Sequence, residues 1–212
     1  MSDLESSDLV IGSDGRRRCP WGASSADYLA YHDNEWGRPV VDDIRLYEKL
    51  CLEGFQSGLA WITILRKRDN FRRAFAGFDP TVVARFGADD VERLLNDAGI
   101  VRHRGKIEAT INNARATLDV QNRHGSLAAL VWSFEPPTSA RATSAGLGDV
   151  PVSTSESTAL ARVLKGEGFR FIGPTTAYAA MQSLGLVNDH VDGCWVRDAC
   201  RADRDAATIP VA

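Results

Sequence analysis

The amino-acid sequence predicts an all-α protein. Apolar residues recur at helical spacing through most of the body of the chain, and no pair of alternating strands joined by a hairpin turn is visible. The chain has 212 residues, and 44% of them are hydrophobic, which is enough to build a sizeable core. Length alone is compatible with one large domain or two small ones.

The first predicted helix covers residues 43–52. Asp42 and Asp43 stand at its start and are capping candidates, because short acidic side chains accept hydrogen bonds from the free amides of a helix N-terminus. Its apolar stripe consists of Ile44, Tyr47, Leu50 and Cys51.

Three more helices follow in the middle of the chain. Residues 79–80 (Asp-Pro) have the pattern of a helix start, and residues 89–90 (Asp-Asp) open another helix that ends near Gly99. A long amphipathic helix covers residues 103–122. Its apolar face carries Ile107, Ile111, Ala114 and Leu118.

Two helices near the C-terminal end, residues 155–165 and 175–184, are joined by a turn that runs from Gly168 to Gly173. This is a helix–hairpin–helix layout, and Pro174 suits the first turn of the second helix. Glycines leave backbone amides accessible, and the helix adds the positive end of its dipole, so the turn suits an anion such as a DNA phosphate. The alternative is an ordinary αα-hairpin whose glycines serve only as caps.

The two ends of the chain differ in composition from its body. Residues 1–17 are rich in Ser, Asp and Gly, so we expect a flexible leader; residues 197–212 are expected to form a flexible tail. Residues 18–196 are expected to form a single helical domain. The leader lacks the apolar core of a signal peptide, and no apolar run approaches the roughly 20 residues that span a bilayer. We therefore expect a cytoplasmic protein with no membrane partner, and its four cysteines do not suggest a disulfide scaffold.

The net charge of −3 argues against a protein that coats nucleic acid, because such binding depends on neutralising phosphates. Local basic clusters are nevertheless present at residues 16–18, 66–73 and 102–106. Each cluster is either a solvated helix face or part of a local contact surface.

Two cysteine–histidine pairs lie near opposite ends of the chain. Cys19 and His32 have twelve residues between them, and His190 and Cys194 have three. A Cys₂His₂ set suits tetrahedral zinc, and four protein ligands would leave no open position, so such a site would be structural. The alternative is two buried thiols and two ordinary histidines.

A second group of residues combines aromatic rings with a carboxylate. Four large rings fall within residues 21–36, and Trp61 follows Glu53 after a turn that contains glycine. Such rings can stack on a base taken out of the duplex, and a carboxylate beside them can accept hydrogen bonds from an exocyclic amine or stabilise positive charge as a glycosidic bond breaks. The alternatives are an aromatic core cluster and a surface glutamate. The four rings are Trp21, Tyr28, Tyr31 and Trp36.

Five long motifs resemble those of the 3-methyladenine DNA glycosylase I family, and the resemblance runs from about Arg18 to Trp195. Pro20 is a small departure, since glycine is common there in the family. The motifs are residues 30–37 (AYHDNEWG), 52–54 (LEG), 58–63 (GLAWIT), 97–107 (DAGIVRHRGKI) and 185–190 (GLVNDH).

The resemblance implies a compact helix–hairpin–helix DNA glycosylase fold and a role for each candidate residue. It implies one structural Zn²⁺ that joins the N- and C-terminal segments, with Glu53 as the catalytic and base-recognising carboxylate. The implied zinc ligands are Cys19, His32, His190 and Cys194. The implied base pocket consists of Trp21, Tyr28, Tyr31 and Trp61. DNA contacts are expected at Gly58 and Leu59 and at Gly168, Arg170, Gly173 and Thr175.

The implied activity is hydrolysis of the N-glycosidic bond of 3-methyladenine in double-stranded alkylated DNA by base flipping, carried out by a monomer. Pro174, Thr175 and Thr176 follow the hairpin, where a glycosylase–lyase needs a lysine to form a Schiff base. We therefore predict a monofunctional enzyme that leaves an abasic site. Asp189 adjoins His190 and is interpreted as a supporting or capping residue rather than as a catalytic one.

Three other functions are compatible with the residues. A zinc-stabilised binding module would need the metal and the hairpin but neither Glu53 nor an open aromatic cavity. A zinc hydrolase would need an open coordination position. A glycosylase with another lesion preference is the third alternative, because one methyl group is worth only about 1–3 kcal/mol of discrimination.

Overall fold

A computed structural model describes residues 9–137 and 146–211. Within these ranges the fold is predominantly helical, which confirms the predicted class, and none of the described helices is both long and apolar enough to cross a membrane. The helices are α1 (Ala26–Asn34), α2 (Asp43–Gln56), α3 (Trp61–Ala74), α4 (Pro80–Val83), α5 (Ala88–Leu95), α6 (Arg104–His124), α7 (Leu127–Trp132), α8 (Ser155–Gly166), α9 (Pro174–Ser183) and α10 (Arg197–Ala206).

Short polar side chains begin several of these helices. Asp42 Oδ1 accepts the Arg45 amide at 2.9 Å at the start of α2, and Asp79 caps α4. Asp43 acts elsewhere: its carboxylate accepts the amides of Leu127 and Ala128, at 2.9 and 2.8 Å, and so caps α7. The prediction that Asp42 and Asp79 are helix caps is thus confirmed. Asp43 does not cap its own helix but joins two helices that lie far apart in sequence.

Helix α2 lies at the centre of the molecule, in contact with α3, α6, α7 and α9. Tyr47, Leu50 and Cys51 are buried as predicted, but Ile44 is exposed because it belongs to the first turn, beyond the edge of the core. The helix also continues one turn past the predicted end. Glu53 therefore lies inside its last turn, and Gly54 is helical rather than part of the break.

Helices α8 and α9 pack against each other and enclose the predicted hairpin turn. Gly168 has φ +93°, a conformation that glycine adopts without strain, and Phe171 takes the left-handed region as a non-glycine residue with φ +57°. Helix α6 holds this turn in place. Asn113 accepts the Arg170 amide at 2.8 Å and donates to the Arg170 carbonyl at 3.1 Å, and Asn112 donates to the Gly168 carbonyl.

The structure differs from the sequence expectation at both ends of the chain. Residues 1–8 of the expected leader lie outside the described residues, but Val10–Ile11 and Arg17–Arg18 pair as antiparallel strands β1 and β2. Strands of two residues are too short to show an alternating pattern in sequence. The expected tail contains α10, whose Arg197 and Cys200 are buried against the end of the domain.

Candidate active site and metal centre

The two cysteine–histidine pairs meet in one buried cluster. The Cys19, His32, His190 and Cys194 side chains are all buried, and their ligand atoms lie within 4.8 Å of one another. The cluster joins α1 and the segment before it to the segment that precedes α10. The structure therefore assembles the predicted Cys₂His₂ set, and this set could hold a metal ion.

The spacing of the ligand atoms fits a tetrahedral ion. Zinc bonds of about 2.3 Å to sulfur and about 2.0–2.1 Å to nitrogen give sulfur–nitrogen edges of about 3.6 Å in a tetrahedron. Cys194 Sγ lies 3.5 Å from His32 Nε2 and 3.7 Å from His190 Nδ1. Cys19 Sγ lies 3.8 Å from His190 Nδ1. The donor set and its size agree with zinc.

Each histidine is oriented by a partner at its other ring nitrogen. His32 Nδ1 lies 2.8 Å from Asp33 Oδ1, and His190 Nε2 lies 3.1 Å from the Trp36 carbonyl oxygen. These acceptors face His32 Nδ1 and His190 Nε2, so His32 Nε2 and His190 Nδ1 are directed at the cluster, as in metal sites whose ligands are held by carboxylates or carbonyls. Asp33 is itself fixed by the buried guanidinium of Arg18, at 2.8–3.1 Å.

The two thiols perturb each other's pKa in opposite directions. A hydrogen bond between the Cys19 and Cys194 side chains lowers the pKa of Cys194. The same hydrogen bond, together with burial, raises the pKa of Cys19. Cys19 Sγ also accepts the Val191 amide at 3.3 Å. The lowered pKa of Cys194 favours its thiolate, which is the form that binds a metal.

Two glycines allow the cluster to pack this closely. A Cβ atom at Gly22 would lie 2.4 Å from Cγ of the His32 ring, so no side chain fits there. A Cβ at Gly37 would lie 3.1 Å from His190 Nε2, and Gly37 also has φ +83°. Both positions require glycine for a steric reason.

Beside the metal cluster lies a cavity of about 490 Å³, walled largely by aromatic rings. It brings together Glu53 and all four predicted base-binding residues. The indole Nε1 of Trp61 is buried and has no hydrogen-bond partner among the described residues, although buried donors are normally paired. The lining includes Trp21, Tyr28, Tyr31, Trp36, Glu53, Gln56, Trp61, Gln182 and Asp189.

Trp21 connects the cavity to the metal cluster. Its ring lies 5.1 Å from the His32 ring on one side and 5.8 Å from Tyr28 on the other, both edge to face. The hydroxyl of Tyr28 accepts the Ile62 amide at 3.0 Å and so caps α3, whose preceding residue, Ala60, supplies no side-chain cap. Tyr28 thus lines the cavity and also fixes the helix that begins with Trp61.

Glu53 is 6% exposed, and its partner is a lysine that the sequence analysis did not identify. Lys49 Nζ lies 2.8 Å from Glu53 Oε1, donates to the Tyr31 hydroxyl at 2.8 Å, and lies 3.7 Å from the centre of the Trp61 ring. Burial lowers the pKa of Lys49, but Glu53 and Tyr31 outweigh it, so the net pKa is raised. The spacing of Lys49 and Glu53, one helical turn apart, was the signal available in the sequence.

The residues predicted at the DNA surface lie in a turn directly after α2. Ser57 has φ −47° and ψ 115°, Gly58 has φ +84°, and the Leu59 amide bonds to the Gln56 carbonyl at 2.6 Å. This is a type II β-turn, which requires glycine at its third position. Leu59 is 41% exposed. Lys106 holds the turn by donating to the carbonyls of Phe55 and Ser57 at 2.8 and 2.7 Å.

The hairpin residues predicted to contact DNA are grouped around the N-terminus of α9. Gly173 is the N-cap of this helix, and Thr175 is exposed in its first turn. Arg170 is also exposed, and no ion pair to its guanidinium is found within the described ranges. A Cβ at Gly54 would lie 3.3 Å from Phe171 Cβ, so the hairpin packs directly on the helix that carries Glu53.

The basic clusters are mostly neutralised by partners within the chain. Arg66 pairs with Asp27 at 2.8 Å, and Arg104 pairs with Glu92 at 2.5 Å. Arg68 binds Glu35 through two contacts of 2.6 and 2.8 Å. Arg17, Arg73 and Arg102 are exposed, and no ion pair to them is found in the part of the chain that the structure describes, so the clusters keep some basic charge at the surface.

Asp189 lies in the cavity wall beside His190, a member of the cysteine–histidine cluster. It is buried and accepts hydrogen bonds at Oδ2 from the Tyr178 hydroxyl at 2.6 Å and from Gln182 Nε2 at 2.9 Å. Burial, and then the hydrogen bond to Asp189, raise the pKa of Tyr178. Asp189 thus ties α9 to the segment that holds the metal cluster.

Comparisons with known proteins agree with this geometry. A model of the methyladenine glycosylase family matches residues 21–198, which include every predicted site residue except Cys19. DNA-3-methyladenine glycosylase 1 of Escherichia coli (strain K12) is 52% identical over 179 residues, covering 84% of this chain and 95% of that protein. DNA-3-methyladenine glycosylase of Haemophilus influenzae is 45% identical over 177 residues, covering 84% and 96%.

A solved structure of 3-methyladenine DNA glycosylase I from Staphylococcus aureus, which concerns recognition of 3-methyladenine, is similar with a TM-score of 0.81 at 34% identity. The match covers 85% of this chain and 96% of that one. A chain that matches the family model over most of its length, and that covers 95% of a relative 52% identical to it, belongs to the methyladenine glycosylase family.

Proposed function

We propose that this protein is a DNA glycosylase of base-excision repair that extrudes 3-methyladenine from alkylated double-stranded DNA into the aromatic cavity and hydrolyses its N-glycosidic bond. The observation that carries the proposal is the buried carboxylate of Glu53 in a cavity walled by Tyr31 and Trp61. The family relatives are named for this activity. All the residues invoked belong to one chain, in keeping with a monomer, and a DNA substrate is consistent with the cytoplasmic location expected from the sequence.

The cavity suits a flat, electron-poor base. Its volume of about 490 Å³ falls within the roughly 300–1,000 Å³ usual for small-molecule sites. A base methylated at N3 is cationic while still attached to DNA, so stacking on Tyr31 and Trp61 gains a cation–π contribution. The unpaired indole N–H of Trp61 is a further donor in this wall.

Glu53 supplies the chemistry that a cationic leaving group needs. The glycosidic bond of a cationic base is already weak, so strong protonation of the base is not required. The carboxylate accepts a hydrogen bond from the exocyclic amine of the base, and its negative charge stabilises the positive charge that develops on the sugar as the bond breaks and water attacks.

The enzyme is proposed to be monofunctional. Pro174 and Thr175 occupy the start of α9, where a lyase would need its lysine. Lys49 lies at the site, but its raised pKa and its ion pair with Glu53 keep it protonated and therefore non-nucleophilic. The product is an abasic site.

We propose that the DNA backbone is bound by the hairpin and that Leu59 fills the gap left by the extruded base. The free amides at the start of α9 attract a phosphate, and the exposed guanidinium of Arg170 adds positive charge beside them. Exposed Leu59 lies on a turn held by Lys106, so its position is fixed before DNA binds.

We propose that the Cys₂His₂ set binds one structural zinc ion. Its four protein ligands fill a tetrahedron, which leaves no open position for water and disfavours a zinc hydrolase. The ion would join the two ends of the domain and keep Trp21 against the cavity wall. Metal analysis of the purified protein is expected to give one zinc per chain, and a clearly lower content would contradict this assignment.

The decisive experiment is base release from methylated duplex DNA, resolved by chromatography. We expect the native protein to release 3-methyladenine, and Glu53→Gln to bind DNA but release at most a few per cent as much. Glu108→Gln, an exposed substitution on α6, is the matched control and should keep native activity. Release by Glu53→Gln at the native rate would exclude the assigned role, and no release by folded, metal-loaded native protein would favour the binding module.

A further inference from the structure

The ammonium of Lys49 touches the three cavity residues most directly assigned to the reaction. Its Nζ lies 2.8 Å from Glu53 Oε1, 2.8 Å from the Tyr31 hydroxyl oxygen, and 3.7 Å from the centre of the Trp61 ring. The Lys49 side chain is only 12% exposed. A buried ammonium with three such contacts is fixed in place, since each of its N–H donors has an acceptor or a ring face.

The contact with Glu53 places a positive charge beside that buried carboxylate. A carboxylate removed from water tends to become protonated unless an opposite charge or hydrogen-bond donors compensate. Within the described residues, Lys49 is the only group seen to pair with Glu53, and it does so at Oε1. The other oxygen, Oε2, is left to accept a hydrogen bond from a base.

Other charged or titratable groups face the Lys49–Glu53 pair from each neighbouring element. Tyr31 comes from α1, and Asp189, from the segment after α9, lies in the same cavity wall as Glu53 and adds a like charge. Behind the rings, Glu35 and Glu48 are paired with Arg68 and Arg72, and Arg38 and Arg45 line the same space. Lys49 is thus the cation in direct contact with Glu53.

We propose that Lys49 is a positioning residue for base excision. Its ammonium keeps Glu53 ionised, with Oε2 available to the extruded base. The same ammonium fixes the positions of Tyr31 and Trp61 through its contacts with both side chains. This inference rests on the proposed glycosylase function. Because Lys49 donates to the Tyr31 oxygen, the hydroxyl proton of Tyr31 is free to point elsewhere.

The effect of removing the Lys49 charge on the pH dependence of base release differs between a purely structural role and a positioning role. Lys49→Met keeps the length and apolar stem of the side chain but removes the charge. If Lys49 only fills space, the rate falls, if at all, without a change in its pH dependence. If it sets the ionisation of Glu53, the pH below which activity is lost must rise.

The experiment is single-turnover release of 3-methyladenine from methylated duplex DNA between pH 5 and pH 9. For Lys49→Met we expect the apparent pKa of the acidic limb to rise by at least one unit and DNA affinity to stay within about twofold. At a pH below the limb of both proteins, a one-unit rise lowers release about tenfold. Lys49→Arg should return the apparent pKa of the acidic limb towards the native value. Exposed Lys165→Met is the matched control and should leave the limb unchanged.

A double variant separates this proposal from a general loss of function. In the Glu53→Gln background, adding Lys49→Met should cause no further change in the pH profile, because the titrating carboxylate is gone. An unchanged acidic limb in folded Lys49→Met would overturn the proposal while native release still supports the glycosylase. If Lys49→Met does not fold, Lys49→Gln is measured by the same criterion. Absence of release by the native protein would refute the proposed function itself.

Discussion

Replacing Lys106 with methionine should loosen the turn that presents Leu59. Lys106 is 8% exposed, and its Nζ donates to the carbonyls of Phe55 and Ser57 at 2.8 and 2.7 Å. The Phe55 carbonyl belongs to the last turn of α2, where carbonyls lack partners within the helix. Lys106→Met therefore leaves two carbonyls without a charged donor at the negative end of the helix dipole.

The magnitude follows from opposing contributions. Hydrogen bonds to a charged group contribute about 1.5–3 kcal/mol each. Burial of the ammonium opposes them, and this burial lowers the pKa of Lys106. We expect Lys106→Met to lower the free energy of unfolding by about 1–3 kcal/mol, which for a chain of this size lowers Tm by roughly 2–10 °C.

The assay combines one measurement of stability, one of binding and one of catalysis. Urea unfolding gives the free energy, calorimetry gives the Kd for free 3-methyladenine, and base release from methylated duplex gives kcat/KM. We expect kcat/KM on DNA to fall at least tenfold and the Kd for free base to change less than threefold, because the cavity wall does not contain Lys106. Exposed Lys165→Met should change none of the three.

Two results would refute this reasoning. Unfolding energy within about 0.3 kcal/mol of the native value would mean that the two hydrogen bonds contribute nothing net. Equal losses for free base and for DNA would mean that Lys106 acts on the cavity rather than on the turn after α2.

Three shorter predictions test other features. Gly22→Ala should abolish stoichiometric metal binding, because its Cβ would lie 2.4 Å from the His32 ring; full metal content by mass spectrometry would contradict this. Tyr28→Phe should destabilise the fold by about 1 kcal/mol in urea unfolding, since the Ile62 amide loses its acceptor, and an unchanged midpoint would exclude the capping role. Burial raises the pKa of Cys51 to about 12, so the unfolded thiol, with a pKa near 8.5, ionises first and stability falls as pH rises from about 8.5 to 12. In the Cys51→Ala variant, the free energy of unfolding should fall less steeply with pH, by about 1.4 kcal/mol per pH unit. Identical pH slopes of the unfolding free energy in the variant and the native protein would disprove this.

The sequence predicted those elements whose signals are local. Asp42 and Asp79 marked helix starts because a cap depends only on the few residues that follow it. The Cys₂His₂ set needed its residue types and the family resemblance, and the structure brings all four side chains together.

Elements that depend on distant partners were missed. Helix α3 has Ile64 and Phe71 buried two turns apart, but its many arginines hid this stripe in the sequence. Helix α10 has six charged residues among its ten, and it is held because Arg197 donates to backbone carbonyls of Asn188 and His190, which no local pattern shows.

The charged residues show the same division. The arginines around α3 formed an evident cluster in sequence, yet Arg66 and Arg68 are paired with Asp27 and Glu35 from α1 and the residue after it. Lys49, an unremarkable lysine in the sequence, is the one that reaches Glu53. The packing of α1 and α3 on α2 decides which cations are paired with surface carboxylates and which one contacts Glu53. Local composition does not decide this.

The cysteine–histidine cluster also sets a limit on when this molecule can be completed during its synthesis. Cys19 and His190 are 171 positions apart. At roughly 5–20 residues per second, a ribosome needs about 10–35 s to make the chain between them. During that interval Cys19 and His32 lack the other two members of the cluster, and the cavity wall lacks Gln182 and Asp189. Closure of the cluster is therefore one of the last events in the maturation of the domain, and a newly made chain gains its finished cavity wall only after its final helices emerge.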